Sequence, residues 1–162
     1  MAKTQVQSKD ITVPLVAIAT GSILCVPVLL ETTSLPAQLF HQWVTMYAYG
    51  HRVLPGLAII TCLIYLGVAF TRRTRNDAWV RYGLAGIVTV SIVPFTLIFM
   101  VSTNNTLFGL ERDARVAGLV TTDIETGKEL VTWWSRLHLM RSMLPLVGTV
   151  IGVTAVVDEV KM

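Results

Sequence analysis

The sequence is poor in charged residues and in cysteine. Only 14% of its 162 residues are Asp, Glu, Lys or Arg, against roughly 25% in an average soluble domain. The two cysteines, Cys25 and Cys62, lie in apolar stretches and lack CxxC spacing, so neither a dithiol redox centre nor a cysteine-ligated metal site is supported. The sequence also contains no internal repeat and no low-complexity segment. The low content of charged residues argues against a water-soluble domain, and the positions of the two cysteines argue against thiol chemistry.

Hydrophobic residues are abundant instead and make up 53% of the chain. Four apolar stretches approach the roughly 20 residues that cross a bilayer core as a helix, and their length favours helices over strands. The predicted spans are approximately residues 11–30, 53–70, 81–102 and 135–157. We therefore expect one transmembrane domain over residues 1–162, an all-α integral membrane four-helix bundle whose first span is retained and not cleaved as a signal peptide.

Positive charge is concentrated in the loop between the second and third predicted spans. This loop reads Thr71-Arg72-Arg73-Thr74-Arg75-Asn76-Asp77, and Arg81 follows closely. By the positive-inside rule the loop is cytoplasmic, and four spans then place both termini on the same side. The net charge of +3 thus reflects membrane orientation, and we expect no nucleic acid partner. We expect a multi-pass protein of the endoplasmic reticulum or another endomembrane.

The two longer loops face the opposite side and are predicted to contain a surface helix each. Residues 31–52 have Ser34 as a possible N-cap, Pro36 inside the first turn and Gly50 as a possible break before the second span, so their helix is expected to lie along the membrane surface. Residues 103–132 carry apolar positions at helical spacing between charged ones, which predicts an amphipathic helix capping the bundle. The stretch from Thr121 to Lys128 is predicted to be an exposed link.

The segment at the start of the fourth span carries the strongest functional signal. Trp134, His138 and Arg141 are separated by four and three residues, so they share one helix face. Ionisable groups inside a span cost roughly 2.5 to 3.5 kcal/mol on insertion scales and usually face a cavity or the bundle interior. The alternative is an interfacial belt in which arginines snorkel and tryptophans anchor the helix. We prefer that alternative for Trp133 and Arg136, and a functional site for His138 and Arg141.

Polar groups from other segments are predicted to lie at the same end of the bundle. Anchoring at a membrane interface explains any one of them taken singly, but convergence of separate segments on one plane indicates a site. The groups are His51 and Arg52 at the start of the second span, His41 and Trp43 together with Gln38 and Tyr47 in the helix before it, and Asn104 and Asn105 at the end of the third span.

Three short patterns link the chain to a known family. They are Arg52-Val53-Leu54-Pro55, the pair Asn104-Asn105, and Trp134-Ser135-Arg136-Leu137-His138-Leu139-Met140-Arg141. With these patterns the chain resembles the anthrone oxygenases, small membrane proteins, over nearly its whole length. The resemblance implies an enzyme that oxidises an aromatic polyketide anthrone to the matching anthraquinone, with molecular oxygen as co-substrate and no known organic cofactor. The implied partners are that small substrate and membrane lipids.

The residues suit this chemistry. An anthrone has an acidic methylene group between two aromatic rings, and loss of a proton leaves an electron-rich enolate that reacts with oxygen. We predict that His138 is the general base, that Arg141, assisted by Arg52, stabilises the oxyanion, and that Asn105 orients a substrate hydroxyl. The predicted substrate-binding residues are Trp134, which would stack on the fused rings, together with His51, His41, Trp43 and Asn104.

Two other interpretations remain open. The first is a copper or iron site for oxygen activation, although no histidine pair has the spacing of the familiar ligand motifs; its candidate ligands are His41, His51 and His138 with Glu31, Glu111 or Asp113. The second is a non-enzymatic scaffold or a small transporter. Transporters are marked by inverted repeats and broken helix pairs, and neither is visible here. The sequence is also compatible with a homo-oligomer.

Overall fold

The computed structural model describes residues 21–73, 78–116 and 122–161, and most of these residues are helical. No strand occurs within these three ranges, so the prediction of an all-α protein is confirmed. The α-helices are α1 (Val26–Thr32), α2 (Pro36–Arg72), α3 (Ala78–Val90), α4 (Ile92–Phe95), α5 (Val101–Val116) and α6 (Ile124–Lys161), and π-helical segments occupy Gly21–Cys25 and Thr96–Met100.

Within the described part of the chain, three helices are long and apolar enough to cross a membrane. They are α2 with 37 residues, the continuous run Ala78–Val116 with 39 residues, and α6 with 38 residues. They contain the predicted second, third and fourth spans. Residues 11–20 of the first predicted span, and residues 74–77 of the cationic loop, lie outside the described residues. The described remainder of the first span contributes a shorter apolar helix, Ile23–Thr32.

The helices predicted for the two long loops are present, but they continue the spans. Helix α2 runs through Gly50 without a break, so the expected boundary there was wrong. One glycine costs a helix only about 1 kcal/mol, and Tyr47 stacks on His51 across Gly50. The expected cap at Ser34 was wrong by one residue, because Leu35 is the residue that precedes the helix. Pro36 lies in the first turn, as predicted, where a helix tolerates proline well.

The link predicted between Thr121 and Lys128 is mostly helical. Helix α6 begins at Ile124, and Asp123 accepts hydrogen bonds from the Thr126 amide at 2.7 Å and the Thr126 hydroxyl at 3.1 Å. These bonds satisfy donors that the first turn of a helix leaves unpaired. The turn-forming residues of this stretch thus start the last helix.

One end of the bundle is packed through small residues. Helix α3 contacts both α2 and α6. A Cβ atom at Gly148 would lie 2.8 Å from the Ala85 carbonyl oxygen, and one at Gly152 would lie 2.5 Å from the Tyr65 hydroxyl. Small residues let helices approach closely inside a membrane, where the hydrophobic effect does not drive helices together. We call the region around these glycines and the ion pairs Arg72–Glu159 and Arg81–Asp158 the packed end.

The opposite end is irregular and aromatic. After Ser91 the third span passes through α4, which contains Pro94, and then through the π-helical segment before α5 begins. Proline and π-turns interrupt the regular hydrogen-bond ladder and re-aim side chains. His51 precedes Arg72 of the packed end by 21 residues in α2, or about 30 Å of helix, close to the thickness of a bilayer core.

Candidate active site

A cavity of about 340 Å³ lies between α2, the third span and α6 at this irregular end. Pockets for small organic ligands start at about this size and are mostly apolar with a few placed polar groups. The lining here fits that description, with Leu54, Ile92 and Leu97 among its apolar members. Its polar and aromatic members are Tyr47, His51, Thr96, Asn104, Trp134, His138 and Arg141.

Arg141 is held between two neutral partners. One guanidinium nitrogen lies 2.9 Å from His138 Nδ1, and the other donates to Thr96 Oγ1 at 3.0 Å. Thr96 itself donates to the Ile92 carbonyl at 2.7 Å, which leaves a lone pair for the arginine. A guanidinium can only donate, so His138 Nδ1 must accept and carries the imidazole lone pair. The neutral imidazole therefore holds its proton on Nε2.

Trp134 forms a wall of the site. Its ring stacks on His138 with centroids 4.9 Å apart and planes at 22°, and its other neighbour Trp43 meets it edge-on at 5.5 Å. The indole Nε1–H donates to Asn104 Oδ1 at 2.9 Å. Trp134, His138 and Asn104 are all buried. Stacking and hydrogen bonding together fix the indole and the imidazole in one arrangement.

Tyr47, which the sequence placed at this end of the bundle without a chemical role, belongs to a second stripe of side chains that lines the site. Trp43, Tyr47, His51 and Pro55 follow one another every four residues in α2, so they share a helix face. Tyr47 stacks on His51 with centroids 5.4 Å apart and planes at 13°, and its hydroxyl accepts from Asn104 Nδ2 at 3.5 Å. The fourfold spacing could have revealed this stripe. Thr96 was missed too, and only the nearby Pro94 hinted at an irregular span.

The structure brings together five of the nine side chains predicted for the site. Those that line the cavity are His51, Asn104, Trp134, His138 and Arg141. Trp43 is fully buried behind Trp134, and its indole nitrogen has no hydrogen-bond partner within the described part of the chain. Arg52, Asn105 and His41 are exposed and do not line the cavity. Roles for these three stay predictions, and the cavity geometry adds no support to them.

The candidate metal ligands are distributed over separate places. His41 Nδ1 lies 3.5 Å from Glu111, which Arg115 also contacts at 3.3 Å, whereas His51 and His138 line the cavity. Within residues 21–73, 78–116 and 122–161, no three His, Cys, Asp or Glu side chains are grouped closely enough to hold a metal ion together.

Comparison with known proteins identifies the family. Residues 43–151 match the family model described as anthrone oxygenase. The chain belongs to the anthrone oxygenase family. The resemblance seen in the sequence and the prediction of an oxygenase enzyme are thereby confirmed. The matched region includes every residue that lines the cavity, and His41 lies outside it.

Several relatives are similar over most of their length. The anthrone oxygenase AgnL2 of Paecilomyces divaricatus is 48% identical over 81% of this chain and 80% of its own. The anthrone oxygenase dmxR16 of a Cryptosporiopsis species is 42% identical over 90% of this chain and 80% of its own. The noranthrone monooxygenase of Aspergillus flavus is 37% identical over 90% of this chain and 74% of its own. No solved structure matches this chain significantly.

Proposed function

We propose that the chain is a membrane-embedded enzyme that oxidises a polyketide anthrone to an anthraquinone with molecular oxygen. Relatives named as anthrone oxygenases and as a noranthrone monooxygenase support the substrate class. The observation that carries the proposed site is the His138–Arg141 pair, 2.9 Å apart and lining a mostly apolar cavity. This pair places a base next to a fixed cation.

The cavity walls suit a flat, fused-ring substrate. Two stacked ring pairs line it, Trp134 with His138 and Tyr47 with His51. Aromatic faces bind other aromatic rings in offset or edge arrangements worth about 0.5 to 1.5 kcal/mol beyond the area they bury. Apolar lining residues complete the pocket, so a tricyclic ring system can enter from the hydrocarbon side of the bilayer.

The first chemical step is removal of a methylene proton by His138. The lone pair of this imidazole is on Nδ1, where Arg141 donates. For Nδ1 to accept the substrate proton, the guanidinium must give up this hydrogen bond. The substrate's carbonyl oxygen gains negative charge in the same step and offers the guanidinium a stronger acceptor. Proton removal and oxyanion stabilisation are thereby coupled through one arginine.

The later steps balance without an external reductant. The enolate carbon forms a bond to dioxygen, and the resulting peroxide takes up the proton held by His138 to give a hydroperoxide. Loss of the second methylene hydrogen together with the terminal hydroxide forms water and the new carbonyl group. Anthrone and dioxygen thus give anthraquinone and water, and the two methylene hydrogens leave in the water. One oxygen atom of each dioxygen molecule is retained in the quinone.

The test is turnover by the purified protein. Emodin anthrone is added to the protein in lipid nanodiscs, and oxygen consumption and quinone absorbance are followed against the spontaneous rate in empty nanodiscs. The reaction is repeated with a strong chelator. Chelator-resistant turnover is expected, with one labelled oxygen per quinone from ¹⁸O₂. Chelator-sensitive turnover that copper or iron restores would replace the base mechanism by a metal-dependent one, and turnover no faster than empty nanodiscs would overturn the proposed function.

A further inference from the structure

A hydrogen-bond chain with a fixed direction leads from Trp134 to Tyr47. The Trp134 indole can only donate, so the atom 2.9 Å away on Asn104 must be the amide oxygen. This assignment turns the Asn104 NH₂ group towards the Tyr47 hydroxyl at 3.5 Å. An amide NH₂ group also only donates, so the Tyr47 oxygen accepts. The phenolic hydrogen of Tyr47 takes no part in this series of hydrogen bonds.

The ring of Tyr47 is held firmly while this hydrogen has no acceptor among the described residues. Phe108 packs edge-on at 5.1 Å, Trp43 lies at 5.3 Å, and His51 stacks on the ring at 5.4 Å. The hydrogen bond from Asn104 is the only one that the Tyr47 hydroxyl makes within the described chain. Because Tyr47 lines the same cavity as Arg141, its unused hydrogen is available to a ligand there.

We infer that Tyr47 is a second catalytic hydrogen-bond donor, which together with Arg141 binds the carbonyl oxygen of the anthrone as it becomes an oxyanion. The inference rests on the proposed function. A neutral phenol and a guanidinium form a two-donor site in a mostly apolar pocket, where preorganised donors stabilise developing charge most strongly. Trp134 and Asn104 position the tyrosine, since the Asn104 amide that Trp134 orients donates to the phenolic oxygen and leaves its hydrogen for another acceptor.

The test compares Tyr47→Phe with Tyr49→Phe. Tyr49 is on the same helix, is 72% exposed and does not line the cavity, so it is a matched control for loss of a phenolic hydroxyl. Tyr47→Phe keeps the ring packing and removes only the donor. We expect kcat to fall about 10- to 100-fold with little change in KM, since a lost oxyanion donor acts mainly on the transition state. Tyr49→Phe should keep the wild-type kcat.

A titration of bound product separates this role from a structural one. A hydroxylated anthraquinone changes colour when its phenol ionises, so the pH midpoint of the bound molecule can be read by absorbance. In wild-type protein the midpoint should lie below that of the free quinone, because both donors favour the anion. It should rise in Tyr47→Phe and stay unchanged in Tyr49→Phe.

The outcomes separate this inference from the proposed function. A wild-type midpoint equal to that of the free quinone would overturn the two-donor site without need of any variant. A folded Tyr47→Phe with unchanged kcat and midpoint would overturn the role of Tyr47 and leave the oxygenase proposal standing. Wild-type protein that forms no quinone above the spontaneous rate would overturn the proposed function itself.

Discussion

The packed end and the cavity end of the bundle are built from the same three long helices and are packed in opposite ways. At the packed end, Gly148 and Gly152 leave no room for even a Cβ atom against Ala85, Thr89 and Tyr65. At the cavity end, large aromatic side chains surround a space of about 340 Å³. Close contact at one end holds the helix spacing at the other, so an open cavity is compatible with a stable bundle.

The charges at the two ends differ as well. Arg72 and Arg81 at the packed end are paired with Glu159 and Asp158. Arg141 at the cavity end is half-buried, and its two hydrogen-bond partners among the described residues, Thr96 and His138, are both neutral. An arginine whose positive charge is not balanced by a carboxylate favours an anion in its place. The packed end therefore serves stability, and the charge at the cavity end fits the oxyanion role proposed for Arg141.

The largest effect should come from removing the base at the cavity end. His138→Ala is expected to lower the rate of quinone formation by about 10² to 10⁴-fold, the usual contribution of a positioned general base. The protein should still purify as a folded species, because the packed end is untouched. The rate is measured with emodin anthrone and corrected for spontaneous oxidation.

Added imidazole provides the control for His138→Ala. The substitution leaves space beside Trp134, on which the imidazole of His138 stacks. Free imidazole should therefore restore part of the rate in the variant, with little effect on wild-type protein. A folded His138→Ala protein with the full wild-type rate would show that His138 is not the general base. The difference between the two ends would then concern packing and not catalysis.

The next largest effect should follow from neutralising Arg141. Arg141→Gln is expected to reduce kcat about 10² to 10³-fold, as the loss of a strong oxyanion donor does. Arg136→Gln is the matched control, since Arg136 is on the same helix, is exposed and does not line the cavity. Steady-state kinetics of both variants measure the difference. Equal rates in the two variants would show that the unbalanced charge of Arg141 has no part in catalysis.

The helical spacing of three residues in the fourth span predicted the cavity end. Burying an ionisable residue in a span is costly, so the helical spacing of Trp134, His138 and Arg141 was enough to predict that this face points into the bundle. Asn104 and His51 were predicted because the third span ends, and the second span begins, at the cavity end of the bundle. The same reasoning included Arg52 and Asn105, which are exposed, because topology gives the level of a residue in the membrane and not its direction around the helix.

Other features of the site depend on packing that sequence patterns do not encode. The π-helical turn that carries Thr96 begins two residues after Pro94, and no other local signal in the sequence marks it. Helix α2 is continuous through Gly50, and Tyr47 stacks on His51 across that glycine. Similarly, glycines such as Gly148 and Gly152 are common in transmembrane sequences, and only the structure shows that Thr89 and Tyr65 pack against them.

A smaller effect, on stability, should come from filling space at the packed end. Gly148→Ala would push a Cβ atom against the Ala85 carbonyl, 2.8 Å away, and overpacking of this kind costs about 1 to 3 kcal/mol. Gly67→Ala is the matched control, because nothing lies within 4 Å of a Cβ atom there. Thermal unfolding in detergent should show a lower Tm for Gly148→Ala only. A Tm equal to that of Gly67→Ala would mean that close contact at the packed end does not hold the bundle together.

The smallest effect concerns the start of α6, next to the cavity end and outside the membrane. Asp123 is exposed, and hydrogen bonds from the backbone and hydroxyl of Thr126 hold the pKa of its carboxyl below the ordinary 3.8. A lowered pKa means that the folded state favours the ionised carboxylate. The cap thus adds stability at pH values above 3.8, and this contribution is lost as the pH falls through the lower pKa of the folded state.

Asp123→Ala should therefore lower Tm slightly at pH about 6, and its difference from wild type should shrink as the pH falls below 3.8 and through the lower pKa of the folded state. Asp113→Ala is the control, since Asp113 is also exposed and its ion pair with Arg112 spans 3.9 Å, a distance at which a surface pair contributes little. Tm is measured for all three proteins across this pH range. A difference for Asp123→Ala that persists unchanged at the acidic limit would show that the carboxylate is not what caps α6, and that the cavity end is anchored there by packing alone.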